Sequence, residues 1–142
     1  MFITGGSQGI GKALALEYAS RGAELFLASR NEDALREIAN KINSEGGRAH
    51  FMSCDVTDRE AVRQTVNAAK EKMGSIDLAF LNAGVGGFNA FEKWDYEEYK
   101  KVFDVNLNGV VYGLEFLTPV MMDQGDVIIA GIGSLADGRG FP

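Results

Sequence analysis

Residues 4–13 of this 142-residue chain read TGGSQGIGKA, and two phosphate-holding chemistries fit the spacing. Counted from Gly6, the run is G-x-x-x-x-G-K up to Lys12, a loop that cradles a nucleoside triphosphate. Counted from Thr4, it is T-G-x-x-x-G-x-G, a turn that lets the pyrophosphate of a dinucleotide approach the N–H groups opening a helix. Triphosphate chemistry needs a Ser or Thr directly after the Lys, because that hydroxyl coordinates the magnesium bridging the terminal phosphates. Ala13 occupies the position. Asp55 could pose as a second magnesium-holding acid, but the run before it, FMSC, is only weakly apolar. Gly5, Gly9 and Gly11 follow an apolar segment and meet the dinucleotide demand, although the strict G-x-G-x-x-G is absent. The dinucleotide turn is the preferred reading, and Lys12 is expected to face solvent.

Other reactive side chains are sparse. Cys54 is the only cysteine and His50 the only histidine, so neither a disulfide framework nor a Cys/His zinc site can be built, and no metal is expected. One polar residue is out of place: from Val102 to Met121 the chain is apolar almost all round, which predicts a buried helix, yet Asn106 lies within it. A buried amide must be hydrogen-bonded. Neighbouring backbone could satisfy it, or it could serve a site. Gly109 and Gly113, four apart on one face, would let another helix approach closely. Pro119 should kink or end the helix by removing its bond to Glu115.

These residues need elements to hold them. The composition, 46% hydrophobic and 24% charged, is that of one globular domain spanning residues 1–142. A net charge of -6 argues against a nucleic-acid surface, which is built from clustered Lys and Arg. No leader pattern precedes the glycine turn and no apolar run approaches ~20 residues, so no membrane segment and a cytoplasmic location are expected. Short apolar runs without alternation predict parallel strands at Phe2 to Thr4, Glu24 to Ala28, Ala49 to Cys54, Asp77 to Leu81 and Val127 to Ala130. Helices are predicted over Gly11 to Arg21, Glu32 to Ser44, Asp58 to Met73 and Tyr96 to about Met122. Asn31 and either Thr57 or Asp58 can cap the second and third. Alternating strands and helices of this kind form a doubly wound α/β parallel sheet, which binds ligands at the carboxyl ends of its strands.

The stretches TGGSQGIG (Thr4 to Gly11), CDVTD (Cys54 to Asp58), NAG (Asn82 to Gly84), VNLNG (Val105 to Gly109) and GSLA (Gly133 to Ala136) resemble, in order, the motifs of the short-chain dehydrogenase/reductase family. The resemblance implies a Rossmann sheet of strand order 3-2-1-4-5 and an NAD(P)-dependent oxidoreductase that moves hydride between nicotinamide and a small-molecule carbonyl or secondary alcohol. It places Gly5, Ser7, Gly9, Ile10 and Gly11 at the pyrophosphate, with Gln8 also binding cofactor, Asp55 and Val56 at the adenine, and Asn82, Ala83 and Gly84 beside the nicotinamide ribose. Asn82 also reads as a turn residue tying neighbouring strands together, and both roles can hold. Asn106 would help hold a water of the proton relay, with Asn108 the lesser candidate, and Ser134 would bind the substrate oxygen. Substrate would enter over the loop from Gly84 to Trp94. The long helix would contribute to a subunit interface, implying a homo-oligomer.

Cofactor choice is expected after the second strand, in the run ASRN. An acid there accepts hydrogen bonds from the ribose 2'-hydroxyl of NAD, whereas an Arg can grip the 2'-phosphate of NADP. Ser29 and Arg30 stand there, with no acid until Glu32. NADP(H) is therefore expected over NAD(H).

In the family, the proton donor is a Tyr four residues before a Lys, about a dozen residues after the serine. The one Y-x-x-x-K, Tyr96 to Lys100, precedes Ser134 and reads as a surface pair on a helix start. The family's pair would fall past Pro142. The run VIIA, with no following helix to cover it, and a central strand of only three residues likewise lead us to expect further residues at one or both ends. If the chain stops at Pro142, the alternative is a non-catalytic dinucleotide-binding module.

Overall fold

The computed structural model describes residues 1–87, 92 and 94–134. The elements run β1 (Phe2–Thr4), α1 (Gly9–Ser20), β2 (Glu24–Ser29), α2 (Glu32–Ser44), β3 (Arg48–Ser53), α3 (Arg59–Met73), β4 (Leu78–Leu81), α4 (Tyr96–Phe103), α5 (Gly109–Met122) and β5 (Ile128–Gly131). A π-helical turn, Asp104–Asn108, joins α4 to α5. All strand pairs are parallel, in the order β3-β2-β1-β4-β5. That is the expected doubly wound sheet, with β1 at its centre.

The strands show no polar alternation because both faces are covered. Successive residues feed different cores: Phe2, Phe26 and Ala28 pack with Val62, Val66 and Leu117 on one side. Ile3, Leu25 and Leu27 pack with Leu35, Ile38 and Ile42 on the other. Helix starts follow the capping expectations. The Asn31 side chain accepts from Ala34 N–H at 3.1 Å, and Asp58, rather than Thr57, caps α3 by accepting from Glu60 and Ala61 N–H.

The long fourth helix departs from expectation in three ways. It is not buried all round: Phe103, Leu107, Val111 and Leu114 are exposed, and Asn106 is exposed as well. The helix covers the sheet with one face only, and its other apolar face is left exposed by the described residues. Secondly, the atoms nearest the missing side chains of Gly109 and Gly113 belong to Val56 and Leu81, not to another helix. A Cβ would stand 2.8 Å from Val56 Cγ2 and 2.6 Å from Leu81 Cδ2, respectively. Finally, of the two outcomes expected at Pro119, ending the helix is not the one taken: α5 runs on to Met122.

Candidate functional site

The glycine turn can be understood position by position. Gly5 has φ 67°, and a Cβ there would stand 2.9 Å from both Ala83 Cα and Asn82 Nδ2. It lets the first turn press against the end of β4. Gly11 is buried, and its Cβ would lie 2.3 Å from the Gly5 carbonyl oxygen, so α1 can start close above the turn only without a side chain. Gly9, with φ 54°, differs: its Cβ would meet nothing within 4 Å. The missing side chain leaves open space at the mouth of the helix. Lys12 points to solvent, which removes the residue a triphosphate loop would aim at phosphate.

Beneath the turn, β1 and β4 are joined at their ends. Thr4 Oγ1 accepts the N–H groups of Asn82 and Ala83 at 3.0 and 3.1 Å. Asn82 Nδ2 donates back to the carbonyls of Thr4 and Gly5, at 3.0 and 3.3 Å. Asn82 thus has the strand-tying role expected of it.

A cleft of about 400 Å³ opens over these strand ends. Of the anticipated residues, Gly5, Ser7, Gln8, Gly9 and Ile10 line it from the turn. Ser29 and Arg30 line it after β2, Asp55 and Val56 after β3, and Asn82, Ala83 and Gly84 after β4. Gly11 is packed behind the lining. Asn31, Cys54, Val85 and Val105 also line the cleft and were not assigned to it; Cys54 and Val105 open the CDVTD and VNLNG stretches, Asn31 and Val85 directly follow Arg30 and Gly84, and that placement was the available signal. Burial pushes the Cys54 thiol up, partly countered by a hydrogen bond to Thr65 and reinforced by the charges of Asp55 and Asp58. One oxygen of Asp55 is engaged locally, accepting from Thr57 N–H at 3.0 Å and Thr57 Oγ1 at 2.9 Å.

Asn106 is engaged by backbone across the cleft's edge. Its Oδ1 accepts Val85 N–H at 2.8 Å and its Nδ2 donates to Val85 O at 2.9 Å. Ser134 follows β5 at the same end of the sheet and is exposed; it does not line the cleft. Leu135 and Ala136, and much of the loop from Gly84 to Trp94, lie outside the described residues. Tyr96 is 62% exposed, and Lys100 pairs with Asp104, so the Y-x-x-x-K pair is spent on the helix surface.

Three observations test whether these residues suit a dinucleotide. Ser29 Oγ is buried in the cleft wall with no hydrogen-bond partner among the described residues, and a ribose hydroxyl or phosphate oxygen could supply one. The guanidinium of Arg30 makes no hydrogen bond or ion pair among the described residues. The N-cap of α1, Gln8, makes no side-chain cap, so the first-turn N–H groups and the positive end of the helix dipole face the opening beside Gly9. The donors fit an anionic dinucleotide. No group of three or more acidic, His or Cys side chains that could hold a metal occurs among the described residues.

The family model of the short chain dehydrogenases matches residues 1–142. The chain belongs to this family. An uncharacterised oxidoreductase of Listeria monocytogenes is 36% identical over 142 residues, covering 100% of this chain and 57% of that protein. A short-chain dehydrogenase/reductase of Burkholderia phymatum, solved in complex with NAD, superposes with TM-score 0.95 at 32% identity, over 99% of this chain and 50% of that one. An alcohol dehydrogenase of the archaeon Thermococcus sibiricus, solved with 5-hydroxy-NADP, gives TM-score 0.94 at 32% identity, over 99% and 60%. The chain thus spans roughly half to three fifths of these relatives' length. No helix among the described residues is long and apolar enough to cross a membrane.

Proposed function

We propose that this chain forms the dinucleotide-binding part of an NADP(H)-dependent oxidoreductase acting on a small carbonyl or secondary alcohol. The observation that carries the reading is the cleft wall after β2, where the buried, unpartnered Ser29 hydroxyl adjoins the uncommitted Arg30 guanidinium. The first acid after them in the chain is Glu32. A bound nicotinamide would supply the hydride chemistry. The chain's own residues bind and orient: the turn from Gly5 to Gly11 takes the pyrophosphate on backbone N–H groups, Ser29 and Arg30 take the 2'-phosphate, and Asp55 and Val56 flank the adenine. Asn82, Ala83 and Gly84 sit beside the nicotinamide ribose. Asn106 orders the proton path, with Asn108 the lesser candidate, and Ser134 holds the substrate oxygen.

Fluorescence titration with NADPH and NADH tests this on the wild type and on Arg30→Ala. A charge-assisted contact is worth ~1.5 to 3 kcal/mol, so the variant should lose about tenfold to a hundredfold in NADPH affinity while NADH binding holds. Equal preference for the two cofactors in both proteins would sink the NADP(H) assignment.

We further propose a homo-oligomer in the cytoplasm. The exposed apolar residues Phe103, Leu107, Val111 and Leu114 recur every three or four positions along one face of the long helix, which suits burial against another chain. Cys54 is buried and unpaired, as suits a reducing compartment. A second reading is dinucleotide binding without turnover, since no Tyr–Lys pair lines the cleft among the described residues. Turnover assays with a panel of ketones separate the two.

A further inference from the structure

The π-helical turn between α4 and α5 has to be held against the ordinary helix. A π turn is rare because the α-helical alternative packs its backbone better. Here Asp104 closes the turn twice: its carbonyl accepts the N–H of Gly109, five residues on, and its Oδ1 accepts from Asn108 Nδ2 at 3.1 Å. Its Oδ2 pairs with Lys100, one turn back on α4. These contacts staple the last turn of α4 to the last residue of the π turn. Asn106 lies midway between the staples and makes its two-point contact with Val85.

The phase of the helix beyond the turn is set independently. A Cβ at Gly109 or Gly113 would stand 2.8 Å from Val56 Cγ2 or 2.6 Å from Leu81 Cδ2, so these neighbours would have to shift before another side chain fitted. A π turn contains one residue more than an α turn, and one residue corresponds to about 100° of rotation. With α5 locked by its glycines, relaxation of the π turn to α must be absorbed on the N-terminal side. That rotation swings Asn106 away from Val85, a residue of the cleft wall next to Gly84.

We propose that Asp104 is a positioning residue, whose carboxylate holds the π turn closed and so keeps Asn106 clamped on the Val85 backbone at the edge of the cleft. Its relevance to the reaction rests on the dinucleotide reading above; the positioning itself does not. The Asp104 to Lys100 and Asn108 network has no contact with the cleft, and the role acts through Asn106.

Amide hydrogen exchange of Val85 reads the clamp directly, because its N–H is held by the Asn106 side chain. Asn106→Ala calibrates the signal, and Asp104→Ala should raise the Val85 exchange rate by about tenfold, the equivalent of one lost hydrogen bond, with Ile3 and Leu27 unchanged. Val85 protection equal to wild type in Asp104→Ala overturns the proposal, as does a Val85 rate that Asn106→Ala leaves untouched. Should Asp104→Ala lose the fold, visible as lost protection at Ile3 and Leu27, Asp104→Asn decides. It keeps an acceptor for Asn108 and loses the Lys100 ion pair, so a severalfold faster Val85 rate supports the role and an unchanged rate overturns it. NADPH titration of the same proteins separates the two claims. A wild type that ignores NADPH while Asp104→Ala frees Val85 removes the cofactor reading and leaves the positioning role standing.

Discussion

Thr4 and Asn82, at the carboxyl ends of adjacent parallel strands, are joined by a reciprocal pair of hydrogen bonds. The Thr4 hydroxyl accepts the Asn82 N–H, and the Asn82 amide donates to the Thr4 carbonyl. Thr4 is 5% exposed, so neither N–H held by its hydroxyl, that of Asn82 or of Ala83, has water to turn to. Thr4→Val keeps the shape and removes the acceptor. Leaving buried donors unsatisfied costs about 1–3 kcal/mol, and urea unfolding should show a loss of that size. A variant as stable as the wild type would mean that the strand ends are held by other contacts.

Gly9→Ala and Gly11→Ala should fail differently, because the two glycines meet different demands. At Gly11 a methyl would lie 2.3 Å from the Gly5 oxygen, forcing turn and helix apart at a cost of about 1–3 kcal/mol or more. At Gly9 there is space, so the cost is only that of a left-handed backbone, roughly 1–2 kcal/mol, but the methyl would stand where a pyrophosphate approaches. Melting curves together with NADPH titration check the split: Gly11→Ala the less stable protein, Gly9→Ala the folded one with weakened binding. The reverse ranking would contradict the assignment of the turn.

Ser29→Ala offers a prediction of opposite sign in two assays. The Ser29 hydroxyl is buried without a partner, an arrangement that costs about 1–3 kcal/mol when no ligand supplies one. Removing it should raise the stability of the cofactor-free protein and lower NADPH affinity. Thermal shift with and without NADPH measures both, and a variant that binds NADPH as well as wild type would show that the hydroxyl takes no part in binding.

Acid should weaken the fold through Glu60. The Arg63 guanidinium, and after it the Gln64 amide, hold the Glu60 carboxyl at about 2, against an ordinary 4.5. A folded-state pKa below the unfolded one means that the carboxylate's stabilisation is fully present above pH 4.5 and is lost as pH falls toward about 2. Urea midpoints measured across that window should fall, and Glu60→Gln should flatten part of the fall. Superimposable pH profiles for the two proteins would assign acid sensitivity to other carboxylates.

Much of the architecture was legible because its rules are local. Ile3 and Phe2 belong to different cores, and such two-sided burial writes itself as an unbroken apolar run. Leu35, Ile38 and Ile42 recur at helical spacing because α2 buries one stripe. The cleft's main residues were legible too, since Ser29, Asp55 and Asn82 each follow a strand and parallel strands bring their ends together. The long helix was read less well. An apolar stretch does not tell whether its faces meet the sheet, another chain or water, and Val111 and Leu114 are exposed here. The π turn left no trace in the spacing, because its single extra residue is held by the side chain of Asp104 and by packing at Gly109.

By itself the sequence determined the order of strands and helices, the turn at Gly5, Gly9 and Gly11, and the choice of Arg30 over an acid after β2. These depend on backbone freedom, side-chain size and charge at single positions. Only the tertiary structure decided that Gly5 yields to Ala83 and Gly113 to Leu81, that the Ser29 hydroxyl is left without a partner, and that Asn106 holds Val85. Those are contacts between residues up to 78 positions apart, as between Thr4 and Asn82. They exist only once the sheet has assembled and brought the ends of distant strands within hydrogen-bond reach.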